Sequence, residues 1–414
     1  MDKILEEKLK KAKQASRQMM KVNSQTKNEA LELISKALLN HIDEIILENQ
    51  KDIQNAKDNH MSSAMIDRLL LDEKRIISIA NDVKKLITLK DPIGDIIRDI
   101  SRPNGLHIQQ VRVPIGVFGI IYESRPNVTV DIACLCIKSS NVCVLKGGKE
   151  ALHSNKILTQ IMQDAIKDIL PMETIQLIEN TDRSMVTQLI TANQYVDVVV
   201  PRGGKGLINH VVMNATVPVI ETGAGNCHLY IDKDANIEKA IHISINAKMQ
   251  RPSVCNAIET ILVHQDIASQ YLIEIEKAFN EHVEIRGDEI VQSMISCQSA
   301  TLDDYAQEYD DYIVAIKVVK SLEEAIDHIY KYSTQHSECI VTENEETAQI
   351  FLTSLDSACV YHNASTRFSD GGEFGFGAEL GISTQKLHAR GPLALLEMTS
   401  FQYRIYGNGQ IRES

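Results

Sequence analysis

The spacing of apolar residues predicts helices over residues 1–90. In Asn28–Asn49 apolar residues recur at steps of three and four, and Ser62–Leu86 repeats this spacing. Such a period places the apolar side chains on one face of a helix. We therefore predict a set of helices that covers a sheet formed further along the chain.

After Asp91–Pro92 the pattern becomes that of β-strands. Residues 96–113 roughly alternate apolar and polar side chains around a turn at Pro103–Gly105, which predicts a hairpin. The continuous apolar run Ile115–Ile121 is typical of a strand buried on both faces of a parallel sheet. A sheet of this kind is therefore predicted to begin here.

Strands and helices alternate beyond this point, which predicts a doubly wound α/β domain. Its further strands are predicted at 141–145, 176–178, 196–200 and 229–231. A second series, from strand 258–263 to strand 358–362, predicts a second α/β domain, and 399–406 predicts one more strand.

Polar or glycine-bearing segments follow the predicted strands, at the edge where such sheets bind ligands. They are Tyr122–Asn127, Lys146–Glu150, Arg202–Gly206 and Glu221–His228. Unpaired backbone amides of glycine residues at a helix N-terminus can bind the phosphate of a dinucleotide. None of these segments completes a P-loop or Gly-x-Gly-x-x-Gly, so tight turns are an alternative interpretation.

The charge and cysteine content narrow the class of protein. The chain has 414 residues, enough for two or three domains, and its net charge of -13 argues against nucleic acid as the main ligand. The N-terminus lacks the apolar core of a signal peptide, and no apolar run approaches the length of a membrane span. Eight irregularly spaced cysteines, without Cys-x-x-Cys or a second ligand pair at zinc spacing, indicate reduced thiols and no metal site. We expect a cytoplasmic protein that acts on a small molecule.

Several side chains are candidates for chemistry. Cys255 follows a proline-interrupted turn and would be a nucleophile as the thiolate, although most unpaired cysteines are inert. Glu221 suits a base or a helix cap, while Arg125 and Arg367 suit a carboxylate or phosphate clamp or plain solvated cations.

Together these segments resemble the aldehyde dehydrogenase superfamily, and most specifically its branch that reduces an acyl phosphate in proline biosynthesis. The residues that carry the resemblance are 113–131, 145–151, 200–207, 221–228, 250–256, 363–368 and 375–392. The resemblance implies an α/β fold of two doubly wound α/β domains plus a small β oligomerisation element. It implies an NADP-binding domain over 1–244 with the hairpin 96–113 in the oligomerisation element, a catalytic domain over 245–392 from which the chain returns to the cofactor domain, and a C-terminal oligomerisation strand over 393–414.

The resemblance also assigns site residues by position. Cys255 matches the nucleophile, and Glu221 matches the glutamate that activates water in hydrolytic members. Ser124 stands where those members place an oxyanion-hole asparagine. The expected cofactor-binding residues are Lys146, Lys149, Gly203, Gly204 and Glu308; the expected substrate-binding residues are Arg125, Asn127 and Arg367. Lys146 and Lys149 would favour a 2′-phosphate, hence NADP over NAD.

The implied activity is NADPH-dependent reduction of L-glutamyl 5-phosphate to the 5-semialdehyde through a thioester on Cys255. The alternatives are a CoA-acylating or hydrolytic aldehyde dehydrogenase and a non-catalytic NADP-binding or scaffold protein. We expect a homo-oligomer, no nucleic-acid or membrane partner, and a functional hand-over of substrate from a glutamate kinase.

Overall fold

The computed structural model describes residues 1–412, in two compact units. The first comprises residues 1–221, 375–381 and the chain from 393 onward; the second comprises 222–374 and 382–392. The chain therefore crosses between the units four times.

Five helices open the first unit, in the region 1–90 where the apolar spacing predicts helices. They are α1 (Lys3–Met19), α2 (Ser24–Asn40), α3 (Ile42–Asp58), α4 (Ser63–Leu69) and α5 (Glu73–Thr88). The side chains of Asp2, Asn23, Ser62 and Asp72 cap four of them by accepting first-turn amides. The apolar face of α2 is fully buried, which explains why its three-and-four spacing is so regular.

A four-stranded parallel sheet is the centre of the first unit, and the predicted hairpin precedes it. The elements are β1 (Ile96–Ser101), β2 (His107–Pro114), β3 (Val117–Tyr122), α6 (Asn127–Lys138), β4 (Val142–Gly147), α7 (Leu152–Ile166), β5 (Ile175–Leu177), α8 (Ser184–Ile190), β6 (Val198–Arg202) and α9 (Lys205–Asn214). The strand order β5-β4-β3-β6 reverses the direction of winding between β3 and β6. Open α/β sheets bind ligands at the carboxyl ends of the strands beside such a reversal. The helix α1 packs on β3, β4 and β5, so the predicted cover of the sheet is present.

A seven-stranded parallel sheet forms the second unit. Its elements are β7 (Cys227–Ile231), α10 (Ile237–Met249), β8 (Ile258–His264), α11 (Gln265–Phe279), β9 (Glu284–Gly287), α12 (Glu289–Gln292), β10 (Gln298–Ser299), β11 (Ile313–Val319), α13 (Leu322–Tyr332), β12 (Ser337–Val341), α14 (Glu345–Ser354) and β13 (Cys359–His362), with the short pair β14 (Ile382–Ser383) and β15 (Gly391–Pro392). The order is β10-β9-β11-β8-β7-β12-β13. All seven residues of β8 are buried, as expected for a strand in the middle of a parallel sheet.

The units divide at Glu221 and Thr222, whereas the sequence predicts a boundary between residues 244 and 245. The difference arises because β7 pairs with β8 and β12 of the second sheet. The predicted boundary consequently lies inside α10. The chain returns to the first unit at 375–381 and again from 393.

The last strand, β16 (Thr399–Tyr406), pairs antiparallel with β2 and completes a three-stranded sheet in the order β1-β2-β16. Its outward row of Phe401, Tyr403 and Ile405 is half or more exposed. The end of the predicted segment 393–414, residues 413–414, lies outside the described residues. Within residues 1–412, no helix combines the length and apolarity that crossing a membrane requires.

Candidate active site

Cys255 lies in the loop that joins α10 to β8, and its side chain is partly exposed. Its carbonyl oxygen accepts a hydrogen bond from the Cys227 thiol at 3.2 Å. A Cβ added to Gly225 would lie 1.5 Å from that same carbonyl oxygen. The segment before β7 can therefore pass this close to the cysteine loop only because residue 225 has no side chain.

The segment Gly223–Gly225 thus has a different place from the one its sequence predicts. The sequence groups it with the cofactor loops, but the structure puts it in the second unit, against Cys255. The Gly225 amide donates to the Glu308 carboxylate at 2.8 Å. Glu308, predicted on the cofactor, therefore lies beside the cysteine loop.

Arg367 is fixed next to the same loop. Its Nε donates to Gln250 Oε1 at 2.8 Å, and its Nη1 donates to Asn256 Oδ1. The Asn256 amide donates in turn to the Ser369 carbonyl at 2.9 Å. Burial lowers the pKa of Arg367 from its ordinary value, and the neighbouring Arg251 adds to the effect. The result is a positioned guanidinium adjoining the candidate nucleophile.

The other thiols are poorer nucleophile candidates than Cys255. Among residues 1–412, six cysteines are buried, and only Cys255 and Cys297 are partly exposed. Burial raises the pKa of Cys297 above its ordinary value, and burial raises that of Cys227 well above it. Because the thiolate is the reactive form, these shifts make Cys297 and Cys227 poorer nucleophiles.

Lys146 and Lys149 lie at the carboxyl end of β4 in the first unit. Lys146 is 5% exposed, and its Nζ donates to the Gly147 carbonyl at 3.0 Å. Burial lowers its pKa. Lys149 is exposed at the start of the next turn. The two predicted cations thus occupy one strand end.

Gly203 and Gly204 join β6 to α9 and are exposed. The Gly204 amide donates to the Glu123 carboxylate at 2.9 Å, and a Cβ on Gly203 would meet that carboxylate at 2.4 Å. An anionic oxygen is therefore already held at the N-terminus of α9. Sequence reasoning did not assign a role to Glu123, although it lies in the polar segment after β3.

Similar proteins agree on one family. Residues 2–297 match the model of the aldehyde dehydrogenase family. The chain is 53% identical over 412 residues to a gamma-glutamyl phosphate reductase of Caldanaerobacter subterraneus subsp. tengcongensis, covering 99% of this chain and 100% of that protein. This chain belongs to the aldehyde dehydrogenase family.

Solved structures of the family agree with the fold. A gamma-glutamyl phosphate reductase from Thermotoga maritima has a TM-score of 0.96 and 47% sequence identity, covering 99% of this chain and 100% of that one. An acetylating aldehyde dehydrogenase from Geobacillus thermoglucosidasius has a TM-score of 0.72 at 17% identity, covering 99% and 98%, and shares the fold.

Membership in the aldehyde dehydrogenase family implies a nicotinamide cofactor, and the first unit fits one. The groups there that could bind a phosphate are the Gly203 amide and the Lys146 and Lys149 ammonium groups, all at carboxyl ends of strands. Amides and cations are the groups that bind phosphate oxygens. The Gly204 amide holds the Glu123 carboxylate, so a cofactor phosphate at this amide would have to displace that carboxylate.

Ser124 differs from the oxyanion-hole residue that its position suggests. Its backbone amide and its hydroxyl both donate to Glu150 Oε1, at 2.8 and 2.9 Å. It is buried and has a positive φ of 42°. A hydroxyl has one proton, so in this arrangement Ser124 has none left for an oxyanion. Its geometry suits a residue that holds the loop after β3.

This geometry predicts a small kinetic effect for Ser124→Ala. We expect kcat to fall by less than about tenfold, whereas loss of an oxyanion donor costs roughly 10²–10³-fold. Steady-state kinetics of the purified variant would measure this. A loss of 10²-fold or more, with an unchanged circular dichroism spectrum, would return Ser124 to the oxyanion hole.

The remaining predicted residues lie in the first unit. Arg125 is half-buried before α6, and the Asn127 amide donates to Asp131 Oδ2 at 3.0 Å. Glu221 lies two residues after Val219, which forms a single parallel bridge to Val199 of β6.

In the second unit the structure brings together Cys255, Arg367 and Glu308, with Asn256 and Gly225 as neighbours that the sequence did not single out. The feature of the sequence that could have identified Asn256 is its position next to Cys255.

Proposed function

We propose that this chain reduces γ-glutamyl phosphate to glutamate 5-semialdehyde and phosphate, with NADPH, in proline biosynthesis. Relatives with this activity in their names are more than half identical over almost the whole chain. The observation that carries the proposal is the Arg367 guanidinium, held by Asn256 and Gln250 beside the Cys255 loop. A fixed cation next to a thiol nucleophile suits a substrate whose leaving group is an anion.

Cys255 begins the reaction as the thiolate. Its sulfur attacks the acyl carbonyl, and the carbon–oxygen bond to phosphate breaks, so the electron pair leaves with phosphate and a thioester remains. Arg367 balances negative charge on the substrate during this step. The Asn256 and Gln250 contacts orient the guanidinium before substrate arrives, which reduces the cost of ordering it.

The nicotinamide cofactor supplies the hydride that reduces the thioester carbonyl. Backbone amides of the cysteine loop are our candidates for stabilising the oxyanion, since the Ser124 hydroxyl is engaged with Glu150. Collapse of the tetrahedral species breaks the carbon–sulfur bond, releases the aldehyde and restores the Cys255 thiolate. Because no water attacks in this direction, we propose no step for Glu221.

The assay that tests this function is phosphate-dependent oxidation of glutamate 5-semialdehyde. We expect NADP reduction that requires inorganic phosphate and that neither CoA nor water replaces. Turnover with CoA would favour an acylating aldehyde dehydrogenase, and turnover without either acceptor would favour a hydrolytic one. Absence of activity with all three acceptors would favour a non-catalytic protein.

NADP is the expected cofactor because Lys146 and Lys149 put two cations at the end of one strand, and cations there would favour a 2′-phosphate. We predict that Lys149→Ala lowers kcat/KM for NADP by about tenfold or more and changes that for NAD by less than about twofold. Lys167→Ala, an exposed lysine at the far end of α7, is the matched control. Equal losses for the two cofactors would contradict this role.

We propose a homo-oligomer formed through the sheet β1-β2-β16. Ile100, Ile108 and Ile405 stand side by side across its three strands, and Ile405 is 61% exposed. Apolar rows of this kind mark association surfaces. We expect Ile405→Lys to yield a smaller species by analytical ultracentrifugation, while Leu302→Lys, at a residue of similar exposure, leaves the mass unchanged. An unchanged mass in Ile405→Lys would contradict the surface.

We place the enzyme in the cytoplasm, next in sequence to a kinase that phosphorylates the γ-carboxyl of glutamate. An acyl phosphate hydrolyses readily, so direct hand-over from that kinase would protect the substrate. A coupled assay with and without a competing hydrolase would test the hand-over.

A further inference from the structure

A buried ion pair joins the two ends of the cysteine loop, residues 250–257. Lys248 lies in the last turn of α10 and Glu259 is the second residue of β8, so the pair brackets the loop that carries Cys255. The Lys248 Nζ donates to Glu259 Oε2 at 2.7 Å, and the two side chains are 0% and 1% exposed. This contact closes the loop at its base.

A gain in stability does not explain why this pair is buried. Burial raises the pKa of Glu259 to about 8 and lowers the pKa of Lys248, while the attraction between the two groups opposes both shifts. The other carboxylate oxygen, Glu259 Oε1, has no hydrogen-bond partner within residues 1–412. Apolar replacements of such an incompletely bonded pair are often as stable as the pair itself. The pair does, however, favour one alignment of α10 and β8 over others.

The ring of Tyr309 faces the lysine of this pair. Lys248 Nζ lies 5.9 Å from the centre of the ring. The Tyr309 hydroxyl donates to Asp304 Oδ1 at 2.9 Å, and the same oxygen accepts from Arg286 Nη1 at 2.6 Å. These hydrogen bonds fix the segment 304–309 next to the ion pair.

The segment 304–309 also reaches the cysteine loop through Glu308. The Glu308 carboxylate accepts the Gly225 amide at 2.8 Å, and Gly225 packs on the Cys255 carbonyl. The negative charge of Glu308 adds to the effect of burial in raising the pKa of Glu259, so the two carboxylates are close to each other. Cys255 is therefore held both at the ends of its loop and at its own carbonyl group.

We propose that Lys248 and Glu259 are positioning residues for Cys255, which hold its thiol in place for attack by joining the ends of its loop. The inference rests on the proposed function only in taking Cys255 as the nucleophile. Because both side chains are buried, neither is available to substrate, and their effect on the reaction passes through the loop. A shift of about 1 Å in a reacting group can lower a rate about 10²-fold.

Replacing both partners with apolar side chains of similar size separates positioning from stability. In Lys248→Met/Glu259→Leu we expect a Tm close to that of the parent protein, because apolar replacement of a buried pair is often neutral. We expect kcat to fall about 10²-fold and KM for each substrate to change less than about threefold. Hydrogen exchange followed by mass spectrometry, without substrate or cofactor, should show the loop amides exchanging about tenfold faster or more.

Lys248→Met alone is the second variant. The remaining Glu259 carboxyl can take up a proton, because its pKa is already raised to about 8, so no unpaired charge stays buried. We expect the same faster loop exchange and the same loss of kcat. The control is Lys27→Met/Asp91→Asn, which removes an ion pair of the first unit whose lysine is 1% exposed. It should leave loop exchange unchanged and kcat within about twofold of the parent value.

Loop exchange or kcat that stays unchanged in the folded Lys248→Met/Glu259→Leu protein would overturn the proposal. A rise in KM at constant kcat would also overturn it, since that result would assign the pair to substrate binding. If neither variant folds, the pair is required for the fold itself and the positioning role is wrong. The exchange measurement needs no turnover, so it remains informative if the proposed reaction fails.

Discussion

Replacing Cys255 with alanine is expected to reduce kcat on the order of 10⁴-fold or more in either direction of the proposed reaction. The reason is chemical: without the sulfur no thioester forms, and hydride transfer has no acyl acceptor bound to the protein. The loss should appear in kcat, since the residues proposed to bind the substrate and the cofactor are unchanged. Stopped-flow measurement of the pre-steady-state phase would show that phosphate release is abolished as well.

Cys297→Ala is the matched control for this variant, because Cys297 is the other partly exposed cysteine. Its raised pKa predicts a kcat within about twofold of the parent protein. Alkylation by iodoacetamide should modify Cys255 first and remove activity in proportion. If the Cys255→Ala protein kept phosphate-dependent NADP reduction, the covalent mechanism would be wrong.

Much of the fold was predictable where the chain has long apolar runs. The bounds of β16 match the predicted strand 399–406. Apolar spacing predicts the helical character of residues 1–90, although each of its two periodic segments spans parts of two helices. The short strand β9 was not predicted, because its four residues Glu284–Gly287 contain a single apolar side chain, Ile285, between two charged ones. The boundary between the units was misplaced because nothing local to residues 227–231 tells which sheet that strand joins.

The site was predictable only in part, since its key contacts join distant segments. Cys255 was identified through resemblance. The hydrogen bond from Arg367 to Asn256, however, joins residues 111 positions apart, which no local pattern reveals. The hydrogen bonds from Ser124 to Glu150 likewise depend on how β3 and β4 lie side by side. The sequence supplied residue types at strand ends, and the pairing of strands decided which of them meet.

Gly225→Ala is predicted to be the second most damaging substitution, although it adds one methyl group. The new Cβ would lie 1.5 Å from the Cys255 carbonyl oxygen and 2.5 Å from its Cα. Both neighbours are backbone atoms, so relief requires movement of the cysteine loop itself. We expect the free energy of unfolding to fall by about 2–3 kcal/mol and kcat to fall about 10²-fold.

Gly206→Ala is the control variant. It separates the effect of steric crowding by the new methyl group from the effect of replacing a glycine. A Cβ at Gly206, inside α9, meets no heavy atom within 4 Å. Alanine there should raise the free energy of unfolding by up to about 0.5 kcal/mol, since it limits the unfolded chain and favours the helix. Urea denaturation of both variants measures the contrast. Equal stability of Gly225→Ala and Gly206→Ala would mean that residue 225 does not lie against Cys255 in solution, and that the cysteine loop is free to move away from the segment before β7.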